Sequence, residues 1–333
     1  MVIQKFTPQD AADVAALISR LFPDRAVSAE EVQRMDRDQD GAGATHARAV
    51  VRAPDDTLAA CVGYEQSLGQ YHPRKFVVEL IVAPEWRAQG LGTRLYDWLL
   101  SRLTPHDPLS LRVAVREEDE AALQFARQRD FREDKRYWVS SVDPALADMS
   151  ALPALKLRLA ERGVSLLSAT ELAARDPDGW QAQIHALFSE VRLDVPRSES
   201  ATPISLEQYT AWILDDAGFL PDAFFLAQDG AGDLIGQSDL YRSSASRDLF
   251  IGLTGVRRPW RGLGVGKALK LRGLQYARKA GIPRVWTDNE SGNAPILKVN
   301  EALGFVRKPA VLSMVRVSTV QVSTVRADTL ERP

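Results

Sequence analysis

The sequence predicts a mixed α/β chain built from two tandem copies of one unit, each a central mixed sheet flanked by helices. Three observations carry this. First, Val82–Leu95 (VAPEWRAQGLGTRL) and Val256–Leu269 (VRRPWRGLGVGKAL) share one plan: Val, a Pro-containing turn, Trp, Arg, two spacers, Gly, an apolar residue, Gly, then an apolar-periodic helix. Second, Arg87 and Arg261 lie 174 residues apart, and Phe131 and Phe305 repeat that offset (261 − 87 = 305 − 131 = 174). Third, 333 residues exceed one typical domain, and a repeat of this size implies two copies of it.

In the first copy, residues 2–6 read as a strand, and Asp10 as the cap of a helix carrying Val14, Leu17, Ile18 and Leu21. Ser28 and Glu31 form a capping-box pattern for a short helix to Met35. Residues 47–52 and 58–64 read as a hairpin, and 76–82 as the strand feeding the first glycine turn. A helix over 93–103 and strand, helix and strand at 111–115, 120–129 and 137–142 complete the unit 1–142. Residues 143–163, rich in Ala and Leu with two prolines, read as a partly helical linker.

The second unit is expected over 164–317. Helices are predicted at 180–191 and 206–217, and strands at 223–228, 234–241 and 250–256. After the second turn come a helix at 267–279, a strand at 284–287, a helix at 294–303 with Gly304 at its C-terminal cap, and a closing strand at 311–317. The tail 318–333 fits either an edge strand or a crossing to the other unit.

Net charge is −2, so no global basic field points to nucleic acid or an anionic membrane. No apolar run reaches membrane-spanning length, and the first residues read as strand and helix rather than a signal peptide. The single cysteine, Cys61, excludes a disulfide framework and suits a reducing, cytoplasmic compartment. The four histidines show no metal spacing, so no metal site is expected.

A strand entering a helix through a glycine turn leaves the first helical N–H groups unpaired at the positive end of the helix dipole. Such a turn favours phosphate. Gly90, Gly92, Gly264 and Gly266 let a diphosphate approach the backbone, and Arg87 and Arg261 are expected to add a cation. Neither common phosphate loop fits. The dinucleotide pattern started at Gly262 meets Lys267 where its third Gly belongs, and Gly266-Lys267 is followed by Ala268 rather than Ser or Thr.

R-x-x-G-x-G after a strand ending in L-x-V or T-x-V resembles the acetyl-CoA loop of the GCN5-related N-acetyltransferases, here present twice. The second copy extends the resemblance through TDNESGNAPILKVNEALGF. The resemblance implies tandem acyl-CoA N-acyltransferase domains with acetyl-CoA as co-substrate. Its coenzyme residues would be Leu80, Val82, Arg87, Gly90, Gly92 and Thr93 in the first copy. In the second they would be Thr254, Val256, Arg261, Gly262, Gly264, Gly266, Lys267 and Asn293. Asn293 reads either as a coenzyme contact or as a helix cap. A backbone N–H near Val82 or Val256 suits polarisation of the thioester carbonyl.

The copies depart from the family in opposite ways. Glu79 stands where members carry a catalytic carboxylate, but its counterpart is Leu253. The second copy keeps Asn289, Asn293 and Asn300, where the first has Val115, Asp119 and Ala126. The Tyr acid five residues before the closing Phe is Asn300 in one copy and Ala126 in the other. Asp239 and Tyr241, on the strand before the second turn, are substitute candidates for base and acid. The expected activity is acetyl transfer to a primary amine of a small molecule or peptide, as monomer or homodimer, with the second unit as the active one. The competing expectation is a non-catalytic coenzyme-binding or scaffold protein. An acceptor amine is not specified.

Overall fold

Alternating apolar residues over 46–65 close as the expected hairpin, and the sheet grows outward from it. The computed structural model describes residues 1–318, so the tail beyond Ser318 lies outside the described residues. The first half runs β1 (Ile3–Lys5), α1 (Ala11–Leu21), α2 (Ala29–Gly41), β2 (His46–Arg52), β3 (Leu58–Glu65), β4 (Lys75–Val82), α3 (Leu91–Leu103), β5 (Ser110–Arg116), α4 (Glu120–Arg127) and β6 (Arg132–Val142). The second runs α5 (Ala151–Ala160), β7 (Ser165–Ser168), α6 (Ala169–Arg175), α7 (Trp180–Val191), α8 (Leu206–Tyr209, continued by a π turn to Leu214), β8 (Phe219–Gln228), β9 (Leu234–Arg242) and β10 (Leu249–Val256). It closes with α9 (Val265–Lys279), β11 (Val285–Glu290), α10 (Ala294–Ala302), β12 (Val306–Arg307) and β13 (Val311–Val317).

The halves do not keep separate sheets. All strands join one sheet in the order β1-β2-β3-β4-β5-β13-β6-β11-β10-β9-β8-β7, with β12 on β6. The closing strands are exchanged. The last strand of the chain, β13, lies between β5 and β6 of the first half. In return, Tyr137–Val142 of β6 pairs with β11 of the second half, and Ser140 and Ser141 also pair with β12. Apolar burial enforces the exchange: Leu312 and Met314 fill the first core, and Val142 the second. Each such side chain contributes roughly 1.5–3 kcal/mol on full burial.

Only β4–β5 and β10–β11 pair in parallel, and both pairs part after two or three residues. These partings lie beside the two glycine turns and set the position of any site. One face of the sheet carries α3 and α4 in the first half and α5 and α9 in the second. The other face carries α1 and α2, then α6, α7 and α8.

Three local expectations change. Asp10 does not cap α1; it closes a capping box with Thr7 one turn earlier and binds Arg52 at 2.7 Å. The segment read as linker supplies α5, whose Leu152, Leu155 and Leu159 are buried against α9, so its apolar spacing reports packing rather than a tether. Helix α6 was not foreseen, although its Ser168–Glu171 capping box stood in the sequence.

Candidate active site

Both glycine turns form as the sequence predicts. Gly90 (φ 78°) and Gly264 (φ 91°) precede the first helical residues of α3 and α9 in left-handed conformation, which favours glycine. The N–H groups of residues 88–93 and 262–267 have no partner among the described residues. The loop arginines behave differently from expectation. Arg87 Nε donates to Val82 O at 3.1 Å and Arg261 Nε to Val256 O at 2.9 Å, so each ties its turn to the strand before it. Arg87 then faces Asp119, and Arg261 pairs with Asp194. Hydrogen bonds from Arg258 and Arg261 hold the Asp194 carboxyl down at about 2. A cation with no ion-pair partner among the described residues reaches the second turn from α5: Arg158 Nη2 would lie 3.9 Å from a Cβ on Gly264. Lys267 adds another in the first turn of α9.

The copies diverge above the turns. In the first, Phe125 packs onto Gly92, where a Cβ would approach Cε2 to 3.2 Å. Arg129 stacks on Phe125 at 3.5 Å and donates to Thr93 Oγ1 at 3.0 Å. Phe125 and Arg129 thus crowd Gly92 and Thr93, while Gly90 stays exposed with nothing within 4 Å of its Cβ position. In the second, a Cβ on Gly266 would meet only Val256 and Thr254, at ordinary contact distance. Trp86 and Trp260 pack beneath their turns against the apolar cores.

The strands diverge in the same sense. β3 and β4 pair without interruption from Ala60↔Val82 to Glu65↔Val77, including Leu80. β9 and β10 shift register between Ile251 and Thr254, a bulge at Gly252–Leu253. A cleft of about 270 Å³ opens there between the parted β10 and β11. Its walls include Arg197, Ile251–Thr254, Lys270, Thr287–Asn289, Asn293 and Ile296. Asn293 makes no capping hydrogen bond to α10 and lines the cleft. Its counterpart Asp119 does cap, accepting from Ala122 N at 3.0 Å, so the two copies differ at this position.

Asp239 lies under the bulge rather than in the cleft. It is 3% exposed, and its two oxygens accept from Leu253 N at 3.1 and 3.2 Å. Burial pushes its carboxyl up to about 7, against the opposing pull of that N–H. The Tyr241 ring lies beside Gly252, where a Cβ would approach its Cε2 to 2.8 Å, and burial raises its phenol above the ordinary value. Both residues thus brace the bulge. Glu79, in the first half, is tied to Arg48 at 3.3 Å. The N–H beside a reacting carbonyl was expected near Val82 or Val256; the irregular backbone lies at Gly252–Leu253, three to four residues before Val256 on β10.

The sequence reading missed Lys270. Its ammonium lies against the cleft, 1% exposed, and donates to Asn300 Oδ1 at 2.8 Å. Asn300 in turn donates to Asn289 Oδ1 at 2.6 Å. Burial pushes the lysine down to about 7, while Asp239 opposes the shift. Burying an ammonium costs several kcal/mol. The available signal was a lysine at an apolar-phase position of α9, easily taken for an exposed one.

Turn, parted parallel strands and bulge come together beside one cleft in the second half. The acetyltransferase (GNAT) family model matches residues 13–131 and 184–305, and the chain belongs to that family. It resembles the mycothiol acetyltransferase of Thermobifida fusca, 28% identical over 319 residues, covering 90% of this chain and 92% of the relative. The mycothiol acetyltransferase of Acidothermus cellulolyticus is 29% identical over 247 residues, covering 68% and 67%. Among solved structures, a tandem GNAT protein from the clavulanic acid biosynthesis pathway matches with TM-score 0.70 at 18% identity, covering 95% of this chain and 98% of that one. A GCN5-related N-acetyltransferase from Sphaerobacter thermophilus matches with TM-score 0.64 at 20% identity, covering 95% of each. The family and relatives support an acetyl-CoA-dependent acyltransferase over a non-catalytic scaffold. No helix among the described residues is long and apolar enough to cross a membrane.

Proposed function

We propose that the second half binds acetyl-CoA in the cleft between β10 and β11 and transfers its acetyl group to the primary amine of a small molecule. The observation that carries this is the asymmetry of the duplication: the bulge, the cleft between parted strands and the uncapped Asn293 occur together in the second copy, whereas in the first β3 and β4 pair without interruption and Asp119 caps its helix. The free N–H groups of residues 264–267, with Arg158 and Lys267, receive the diphosphate. The pantetheine arm follows β10 past Thr254 and Val256, with Asn293 across from it. The thioester then lies at the bulge, where irregular backbone can present an N–H to its carbonyl.

Asp239 is a positioning residue in this account: it fixes Leu253 and hence the bulge. The amine enters beside Phe188, Val195 and Arg197 and attacks the carbonyl carbon, giving up its proton to water. The first half serves as structural partner through the exchanged strands. On this reading the domains divide at residues 142–143, with 143–163 belonging to the second. One chain already holds both exchanged strands, so a monomer suffices. Lone, buried Cys61 fits a reducing cytoplasm.

Thiol release from acetyl-CoA across a panel of small amines tests the proposal. The first amine to include is the one that mycothiol acetyltransferases acetylate. Release with at least one amine supports it; saturable acetyl-CoA binding without release from any primary amine would point to the scaffold reading instead.

A further inference from the structure

Lys270 is buried in the wall of the cleft with no carboxylate in contact with its ammonium among the described residues. Among the described residues, only one of its three N–H groups has an acceptor, Asn300 Oδ1. The Phe305 ring lies 5.4 Å away. The duplication supplies an internal control. At the same offset of 174, the first copy has Tyr96 for Lys270, Ala126 for Asn300 and Val115 for Asn289. There the polar tip of Tyr96 is taken by Arg316 at 2.6 Å, and all three side chains are buried in the first core. The same helix and strand therefore close without a lysine or either amide. Packing does not require the buried polar chain Lys270–Asn300–Asn289, and it borders the cleft between the parted β10 and β11.

We propose that Lys270 is the catalytic acid of the second copy: its ammonium contacts the sulfur of bound acetyl-CoA and protonates it as it leaves. The inference rests on the donor site proposed above. The amine nitrogen forms a C–N bond to the carbonyl carbon, and the tetrahedral adduct collapses with cleavage of the C–S bond. The bonding pair goes to sulfur, and a proton passes from Lys270 Nζ to it, giving free coenzyme A. Neutral Lys270 then takes a proton from solvent, replacing the one the amine released there. Asn300 orients Nζ, and Asn289 orients Asn300.

The charged groups around the ammonium favour this direction. Asp239, from β9, raises its proton affinity but less than burial lowers it. Arg197 and Asp288 line the same cleft and carry opposite charges. An acid near 7 can protonate a thiolate whose ordinary pKa is about 8.5.

The test uses coenzyme A itself and needs no acceptor. Its thiolate absorption is titrated in the presence of excess protein, with desulfo-coenzyme A as the blank. The wild-type protein is expected to lower the thiol pKa by about one unit, a tenfold gain in thiolate. Lys270→Met should bind desulfo-coenzyme A comparably yet leave the thiol at its free value. Coenzyme A that binds the wild-type protein with an unshifted thiol overturns the inference while leaving the donor site intact. Failure of the wild-type protein to bind coenzyme A overturns both. The wild-type titration alone decides the matter if Lys270→Met does not fold.

Discussion

Asp239 holds Leu253 from below: both carboxylate oxygens accept the one backbone N–H, and a Cβ on Gly252 would sit 2.2 Å from Asp239 Oδ2. The bulge therefore depends on a buried carboxyl group fitted under a residue without a side chain. Asp239→Asn replaces one acceptor with a donor facing that N–H. Turnover is expected to fall on the order of tenfold while acetyl-CoA affinity changes little, by analogy with loss of an aligned backbone donor. Comparing kcat with donor affinity checks this.

The same residue fixes a pH dependence. Its folded pKa, about 7, is above the ordinary value of 3.8, so the folded state binds more protons in between. This contribution to stability is present below the ordinary value and is lost as pH rises through about 7. Denaturant melts between about pH 4 and about pH 8 should show that loss in the wild-type protein and a flatter profile in Asp239→Asn.

Lys270 contributes with the opposite sign. Its folded value of about 7 lies below the ordinary 10.5, so the unfolded chain binds more protons in that window. Stability from this group rises as pH climbs from about 7 to about 10.5. Lys270→Met is expected to be more stable than wild type near neutral pH, by about 1–4 kcal/mol if the site repacks. The difference should narrow at higher pH in the same melts.

The two readings of Asn293 separate by measurement. Because its side chain makes no capping bond, Asn293→Ala should change stability by less than about 0.5 kcal/mol and weaken acetyl-CoA binding. Asp119→Ala, which removes a real cap, should cost about 1 kcal/mol. Melts and donor titrations of both variants check the pair.

Phe125 and Arg129 crowd Gly92 and Thr93 of the first turn, so removing them should open that side of it. Phe125→Ala with Arg129→Ala is expected to raise the acetyl-CoA stoichiometry from one equivalent to two, the second binding more weakly. Calorimetric titration reads the stoichiometry directly.

Much of this was legible because the duplication wrote it twice. The matched spacing around Arg87 and Arg261 located both turns, and the alternation of 46–65 and 234–256 placed their strands. The exchange of β6 and β13 was not legible, because β13 carries the same alternation whichever half it pairs with; register across the sheet is a tertiary choice. The role of the loop arginines was misjudged, since sequence cannot say whether a guanidinium faces a ligand or the carbonyl of its own strand. Lys270 escaped because a lysine on a helix is almost always exposed. Its burial depends on Asn300 and Phe305, which are distant in sequence and meet it only after α10 folds back.

The central claim is that donor binding belongs to the second copy. Gly266 suits the test better than Gly264, whose positive φ and a Cβ position 2.8 Å from Leu155 Cδ2 would confound binding with strain. Acetyl-CoA should bind the wild-type protein at one equivalent by calorimetry. Gly266→Asp should abolish that binding, and Gly92→Asp should leave it in place. Binding that survives Gly266→Asp and disappears with Gly92→Asp would contradict the account.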